Sequence, residues 1–383
     1  MRFCAASLSK ANFSITFGIL VIFLIQFNCA DCSDSGYPEK RLKVLHLTFH
    51  KGCLQEFNGV AKVLNLDLET WFIPELPGTF FDGVSKGNVL YNIGHQRAEN
   101  IWNRHKETFA QFDVILTSDT AALSRIFLQN GFQKPLIIWI CNRFDYSDRA
   151  SIDCDFPNQE FYDLFSKAFS QPNVTIIAYT AFEHYYAQKR GLNIGSLLIA
   201  PCAPIRSSEP VSSAISSKID KAATFFLPPY HNERIFMKLS QFCEELGIPT
   251  YCGRYQGAMD LKEFKGIIHL PYSWSNLAFF ENIALGIPYF IPSIDFFKQL
   301  AKQNNYFHPN LATLLQDQLF ELSEWYKPER KEIIIYFDSW EDLKRKVNET
   351  NYELQRQKIQ EYAAQYRLEM LNRWKDVFEK IKN

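Results

Sequence analysis

The sequence of 383 residues lacks an excess of either charge, because 41 lysines and arginines are balanced by 42 aspartates and glutamates. A nucleic-acid-binding protein needs a basic surplus to neutralise phosphates, so this balance argues against nucleic acid as a partner. The sequence also lacks a C-x-x-C pair, which leaves little support for a zinc or thioredoxin-type site. Hydrophobic residues make up 47% of the chain, enough for a large core, and the length favours two domains.

Only one long apolar run is present, and it lies near the start of the chain, at residues 13–27. The run is long for a signal peptide and short for a membrane span, and small residues at 28–30 offer a cleavage site. We therefore expect 1–30 to be a signal peptide or, alternatively, an uncleaved signal anchor that attaches the protein to a membrane. Either case places the chain in the secretory pathway lumen or outside the cell. Sequons at Asn173 and Asn348 are candidate glycan sites in that setting.

Four cysteines in the body of the chain are spaced so that they could form two bridges. In an oxidising compartment Cys141 could pair with Cys154, and Cys243 could pair with Cys252. Buried free thiols are the alternative, since free cysteine often behaves as a small apolar core residue.

Apolar segments alternate with helical patterns along most of the chain. In the first part we predict strands at 42–50, 67–73, 113–118, 135–141 and 174–180. Continuously apolar strands separated by helices are typical of a parallel sheet covered on both faces.

The same alternation restarts after a serine-rich stretch. We predict an α/β fold with two Rossmann-like domains, at 41–205 and 223–338, joined by a linker at 206–222. The tail, 339–383, is charged and helical in period, and we expect it to pack back across both domains.

A lone carboxylate, Glu281, follows the second domain's apolar strand at 267–270 and precedes Gly286. Ligands of open α/β sheets bind at the carboxyl ends of strands, at topological switch points. There a carboxylate can hold a pair of sugar hydroxyls, and loop amides can hold phosphate. The alternative is a carboxylate near a helix start that interacts only with the helix dipole.

The segment HLPYSWSNLAFFENIALGIPYFIP resembles the donor motif of the large retaining group of GT-B glycosyltransferases. That motif has a glutamate, seven residues, a second glutamate, and then an alanine followed by Gly-x-Pro. Glu281 takes the place of the second glutamate, and Ala284 and Gly286 follow as the motif requires, but Ser273 replaces the first glutamate. A weaker resemblance in the first half places Asn142 where the family often has a histidine near the reacting sugar.

The resemblance implies a GT-B fold, in which two Rossmann-like domains face each other across a cleft. It implies transfer of a sugar from a nucleotide-sugar donor to a glycan, lipid or protein acceptor. No Asp-x-Asp suited to a metal is found, so we expect a metal-independent reaction without a cofactor beyond the donor. The leaving diphosphate then needs positive charge or hydrogen-bond donors from the protein.

On the donor side, the resemblance implies that Glu281 binds the ribose. We expect diphosphate contacts from other residues of the second domain: His231, Arg234, Arg254, Ser275 and Asn276.

On the other side of the cleft, Asp119 and Asn142 are candidate catalytic residues, and Asp119 could act as a base. The alternative for Asp119 is an N-cap before Thr120. Candidate acceptor-side residues are His50, Gly52 and His95, although a lone histidine is often structural.

Two other functions fit the sequence. Ser273 and the absence of the family's Arg and Lys pair after the first strand of the donor domain favour a catalytically inactive GT-B-fold protein that binds glycans or partners. A two-lobed solute- or glycan-binding protein would also have two α/β domains, but it would bind free sugars or amino acids rather than a nucleotide.

Overall fold

Five parallel strands form the sheet of the first half, in the order β2-β1-β3-β4-β5. The computed structural model describes residues 41–76, 93–146, 159–202, 219–229, 237–303 and 314–382. The strands are β1 (Lys43–Thr48), β2 (Asp67–Phe72), β3 (Val114–Asp119), β4 (Leu136–Ile140) and β5 (Val174–Ala178). β1, β3 and β4 are almost entirely buried, as their uninterrupted apolar sequences predict.

Helices cover this sheet. They are α1 (Lys51–Val63), α2 (His95–Phe109), α3 (Arg125–Leu128), α4 (Gln159–Ala168) and α5 (Ala181–Lys189). A 3-10 turn at Ala122–Ser124 precedes α3, which is a single turn long.

A second parallel sheet follows, in the order β10-β9-β8-β6-β7. Its strands are β6 (Phe225–Phe226), β7 (Thr250–Tyr251), β8 (Gly266–Ile268), β9 (Tyr289–Pro292) and β10 (Ile334–Phe337). Shorter helices surround it: α6 (Leu239–Glu245), α7 (Ala258–Leu261), α8 (Leu277–Ala284), α9 (Ile294–Gln303) and α10 (Asp317–Leu322).

Both sheets have the same strand order. Numbered within its own half, each runs 2-1-3-4-5, which is a doubly wound, Rossmann-like arrangement. The order reverses between the first and third strands, so the switch points lie at the carboxyl ends of β1 and β3 and of β6 and β8. The predicted α/β architecture of two parallel sheets is therefore confirmed.

Two helices complete the chain, α11 (Trp340–Glu349) and α12 (Tyr352–Lys382). Near its start, α12 contacts the second half, where the Arg356 guanidinium donates to the carbonyl of Phe264. Farther along, Arg373 Nη1 donates to the carbonyl of Leu198 at 2.6 Å, and Trp374 packs edge-on against Trp139 with ring centres 5.4 Å apart. The tail thus packs back across both halves, as predicted.

Neither of the two possible disulfides forms, so the alternative of free thiols holds for the cysteines that the structure describes. Cys141, Cys243 and Cys252 are free thiols. Cys243 is buried on α6, and Cys252 lies half-buried with its sulfur 4.0 Å from the carbonyl of Pro228. Cys154 lies outside the described residues.

Residues 1–40 and most of the predicted linker lie outside the described residues. Within the described part of the chain, no helix combines the length and apolarity needed to cross a membrane. The signal segment and the domain boundaries remain predictions.

Candidate active site

The first turn of α1 stands at the switch point of the first sheet. His50 is its N-cap, and Nδ1 accepts the amide proton of Gly52 at 3.1 Å. Gly52 also allows close packing between the halves, because a Cβ there would lie only 2.4 Å from Leu277 Cδ1 at the start of α8. Two helix N-termini, one from each half, therefore meet at this point.

Asp119 ends β3, the other strand of that switch point. It is only 4% exposed and has a φ of +84°, a left-handed conformation that asparagine and aspartate adopt more readily than most residues. Its carbonyl accepts the amide protons of Cys141 and Asn142, both at 2.9 Å. The turn that follows is capped by Thr120, whose hydroxyl accepts from Ala122 at 3.2 Å, so Asp119 is not the N-cap.

Negative groups surround the exposed imidazole of His50. A hydrogen bond with Cys53 and the charges of Cys53, Asp119 and Glu281 raise the pKa of His50 to about 9, although partial desolvation acts in the opposite direction. Burial and the negative charge of Cys53 raise the pKa of Asp119 to about 7, partly offset by His50. The sequence predicted His50 and Asp119 separately, and the structure brings them together.

Glu281 reaches the same place from the second half. It is the fifth residue of α8, half-buried and in the second turn of the helix. Its charge acts on His50 and also raises the pKa of Tyr255, which burial raises as well. Because it lies beyond the first turn, an interaction with the helix dipole is a weaker explanation for this carboxylate.

The loop between β8 and α8 is held by both halves. The Ser273 carbonyl accepts a hydrogen bond from Trp325 Nε1 at 2.7 Å. Trp274 stacks on Phe182 of α5 with ring centres 3.7 Å apart, and its Nε1 donates to Glu183 at 3.0 Å. The loop is therefore a structural bridge as well as a candidate phosphate loop.

The other predicted donor residues differ in their surroundings. Asn276 is the N-cap of α8, where its side-chain oxygen accepts the Phe279 amide proton at 2.7 Å. Ser275 lies beside the phenol of Tyr179. Arg254 is exposed and follows the edge strand β7. His231 and Arg234 lie outside the described residues.

His95 belongs to a different cluster. Its Nδ1 lies 2.6 Å from Glu160 Oε1, and Glu160 also pairs with Arg125 Nη2 at 2.8 Å. The structure therefore gives His95 a surface ion-pair network, and no contact joins it to His50 or Asp119. Asn142, by contrast, is adjacent to Asp119 through the backbone bond described above.

Sequence reasoning missed the cysteines at this site. Interactions with Cys141 and His50 lower the pKa of Cys53 to about 6 against the effect of burial, whereas burial raises the pKa of Cys141, whose thiol donates to the Trp139 carbonyl at 3.7 Å. The signal was available, because Cys141 directly follows β4 and Cys53 lies in the first turn of the helix after β1. Their spacing of 88 positions hid the contact (141 − 53 = 88).

A buried polar network lies below these groups. His46 Nε2 is 2.8 Å from Ser118 Oγ, which donates to Thr48 Oγ1 at 2.9 Å. Burial lowers the pKa of His46 to about 3, so this imidazole is neutral at physiological pH. Among the residues that the structure describes, no group of three or more His, Cys, Asp or Glu side chains could hold a metal ion.

No protein-family model matches the chain, and no curated protein matches it in sequence. Several solved structures align with it over most of its length. A UGT transferase from Siraitia grosvenorii, solved with UDP, gives a TM-score of 0.47 at 12% identity, covering 89% of this chain and 100% of the other. Arabidopsis thaliana UGT89C1, also solved with UDP, gives 0.44 at 12% identity, covering 90% and 99%.

A UDP-N-acetylglucosamine 2-epimerase is similar to the same degree. It gives a TM-score of 0.44 at 10% identity, covering 85% of this chain and 91% of the other. At identities of 10–12% and TM-scores of 0.44–0.47, the ligands and reactions of these proteins are not carried over to this chain.

Proposed function

We propose that this protein is a glycosyltransferase that moves a sugar from a nucleotide-sugar donor to an acceptor hydroxyl. One observation carries the proposal: His50, at the switch point of the first sheet, lies within electrostatic reach of Asp119 in its own half and of Glu281, beyond β8 of the second sheet. A base on one side and a sugar-binding carboxylate on the other are what transfer between two bound substrates needs.

On the donor side, Glu281 binds the ribose hydroxyls, which a carboxylate in this setting accepts well. The amides of Leu277 and Ala278, in the first turn of α8, have no partners within the helix and can donate to the diphosphate, whereas the Phe279 amide donates to Asn276. Negative charge at a helix N-terminus is also favoured by the helix dipole.

On the acceptor side, His50 removes the proton from the attacking hydroxyl. The acceptor oxygen bonds to the anomeric carbon as the bond between that carbon and the diphosphate breaks, and the nucleotide leaves. The charges of Asp119 and Glu281 stabilise the imidazolium that forms. This single displacement inverts the anomeric configuration, unlike the reaction of the retaining group that the Glu281 segment resembles.

The base role requires a particular tautomer of His50. While Nδ1 accepts the Gly52 amide proton, the neutral ring carries its proton on Nε2 and Nε2 has no free lone pair. Nε2 becomes basic in the other tautomer, in which Nδ1 carries the proton. In that tautomer Nδ1–H can donate a hydrogen bond to the thiolate of Cys53. Cys53 is therefore a positioning residue in this proposal.

The test is nucleotide release by the full chain from a panel of UDP-, GDP-, ADP- and CMP-sugars. Water can act as a slow acceptor, so the true acceptor need not be known. We expect release from donors of one base, at least tenfold slower in Glu281→Gln. The control Glu353→Gln removes an exposed helical carboxylate far along the chain and should match the wild type. Equal release by wild type and Glu281→Gln, or none from any donor, contradicts the proposal.

A further inference from the structure

A turn at the carboxyl end of β4 carries a buried arginine. Arg143 directly follows Asn142, and its backbone amide donates to the Asn142 side-chain oxygen at 2.8 Å. The turn closes where the Tyr146 amide donates to the Arg143 carbonyl at 3.0 Å. The Phe144 carbonyl accepts an amide proton from the segment after β3, also at 3.0 Å. The turn is therefore fixed at the same edge of the sheet as Asp119.

The guanidinium of Arg143 is buried without hydrogen bonds. The residue is 5% exposed, and within the described part of the chain its Nε and Nη1 are buried and have no hydrogen-bond partner. The guanidinium carbon lies over the ring of Tyr146, 5.0 Å from its centre. A guanidinium keeps its charge, so burial deprives that charge of water. Buried polar groups almost always have partners, and an anion that binds here would supply the missing acceptors.

The neighbouring carboxylate makes its hydrogen bonds elsewhere. Asp145 accepts from the phenols of Tyr162 at 2.5 Å and Tyr186 at 2.9 Å. Arg190 Nε donates to it at 3.2 Å, and the Arg190 guanidinium stacks on Tyr186, 3.9 Å from the ring centre. Burial lowers the pKa of Arg143; the charge of Asp145 opposes this effect, and that of Arg190 adds to it. These three charged side chains sum to one positive charge, which Arg143 carries without a bonded counter-ion.

We propose that Arg143 binds a carboxylate of the acceptor, so that the acceptor is a sugar acid or a glycan that contains one. A carboxylate carries one negative charge and accepts two parallel hydrogen bonds from a guanidinium. It matches the single excess charge, whereas a phosphate monoester carries about −1.5 to −2 at pH 7. Assigning the carboxylate to the acceptor rests on the proposed function, but its binding at Arg143 does not.

The position suits a substrate that also reaches His50. In the first sheet β3 lies between β1 and β4, so the ends of β1 and β4 are roughly 10 Å apart. Asn142, Asp145 and Tyr146 are half-buried, so the turn lies at the surface of this edge, where a ligand can cover Arg143. A hydroxyl at His50 and a carboxylate at Arg143 can therefore belong to one acceptor.

The first test is binding of D-glucuronate to the full chain, with D-glucuronamide as the matched neutral probe at constant ionic strength. The two sugars differ only in the carboxylate, and calorimetry gives each Kd. We expect the wild type to prefer glucuronate, and Arg143→Gln to weaken glucuronate binding by about tenfold or more. The control Arg41→Gln removes an exposed arginine just before β1, at the opposite end of the sheet, and should match the wild type.

A second pair of variants tests whether Arg143 is only structural. Arg330 is also buried, at 1% exposed, but it pairs with Glu324 and donates to the Glu324 carbonyl at 2.8 Å. Without ligand, Arg330→Met should lower the melting temperature strongly, because it breaks a buried ion pair. Arg143→Met removes an unpaired charge and should leave the melting temperature unchanged or raised. If it fails to fold, or melts as low as Arg330→Met, the proposal is overturned.

The binding results can also overturn the proposal. They do so if the wild type binds glucuronate no better than glucuronamide, or if Arg143→Gln keeps the wild-type preference. Tighter binding of inorganic phosphate than of glucuronate, lost in Arg143→Gln, would overturn the choice of a carboxylate. The assay contains no nucleotide, so its result is independent of sugar transfer. If glucuronate binds but no donor is cleaved, the Arg143 site stands and the proposed function fails.

Discussion

At the scale of single residues, His50 combines two roles that compete for one lone pair. As N-cap it accepts the Gly52 amide proton at Nδ1, and as a base it needs a proton there. Negative neighbours, namely Cys53, Asp119 and Glu281, favour the protonated ring. Only the folded protein sets which of the two roles His50 takes, because Asp119 and Glu281 are distant from His50 in sequence.

Replacing His50 with asparagine separates these roles, because asparagine is also a good N-cap. We expect His50→Asn to keep its melting temperature but to lose about 10²-fold or more in kcat for nucleotide release, with a smaller change in KM. Steady-state kinetics measure both constants. His95→Asn is the matched control and should be active, since His95 pairs with Glu160 on the surface.

The pH dependence follows from the same residue. A base works in its deprotonated form, and the pKa of His50 is raised to about 9. The rate should therefore rise from pH 7 towards pH 9 and level off above it. In His50→Asn this rise in rate with pH should disappear. A rise that persists unchanged would show that another group titrates.

Glu183 gives a prediction about stability. Burial raises its pKa to about 7, whereas the unfolded carboxyl titrates near its ordinary value of 4.5. Between these values the folded state holds a proton that the unfolded state has lost. The stability linked to this proton is full below pH 4.5 and is lost as pH rises through 7.

Denaturant titrations of wild type and Glu183→Gln across pH 4.5–8 measure this loss. The free energy of unfolding of wild type relative to the variant should fall with rising pH and flatten above pH 7. A difference that is constant with pH would show that Glu183 does not titrate in this range.

At the scale of elements, the close approach of α1 to α8 depends on Gly52. Alanine would place its Cβ 2.4 Å from Leu277 Cδ1, and the contact must relax. We expect Gly52→Ala to destabilise the wild type by about 1 kcal/mol. In a Leu277→Ala background the clash with Leu277 is gone and only the contact with His50 Cε1, at 2.9 Å, remains. The same change should then cost less, because an alanine that fits is about 0.5–1 kcal/mol better than glycine in a helix.

Chemical denaturation of the four proteins in this cycle measures the coupling. Additive effects would mean that the first turn of α1 does not touch Leu277 in solution. A coupling of about 1 kcal/mol or more would place the two helix starts in contact, as the site requires.

Most elements were predictable because their information is local. The apolar strands indicated that strands alternate with helices, and the structure confirms this alternation. The role of Asn276 as an N-cap was not predicted, although a polar residue before an apolar helix is the usual signal for one.

Contacts between distant segments were harder to predict. The strand order places β1 beside β3, and the hydropathy of the sequence does not predict strand order. The group formed by His50, Cys53, Asp119 and Cys141 depends on that order, so the sequence supplied its histidine and aspartate as separate candidates. The sequence left open whether Cys243 pairs with Cys252, and both are free thiols, because short spacing in sequence does not ensure contact.

At the scale of the whole molecule, α12 links the two halves. Trp374 is fully buried and packs edge-on against Phe57 of α1, with ring centres 5.2 Å apart, and against Trp139 of β4. The helix therefore supports the element that carries His50, although it lies outside the site itself.

Trp374→Ala should cost about 3–5 kcal/mol of unfolding free energy, because it leaves a large cavity under α1. Leu368→Ala on the same helix is the control; that side chain is 55% exposed, so its loss should cost under about 0.5 kcal/mol. Denaturant unfolding measures both. Equal, small losses would show that α12 is not docked on the first half.

The central claim is that the switch point of the second sheet, at Glu281, holds the donor nucleotide. The most direct measurement is thermal unfolding of the full chain with UDP, GDP, ADP or CMP, compared with Glu281→Ala. Ligand binding to the native state raises the melting temperature by mass action. The account predicts a rise with one base that is lost in Glu281→Ala. No rise with any nucleotide, or the same rise in the variant, would contradict it.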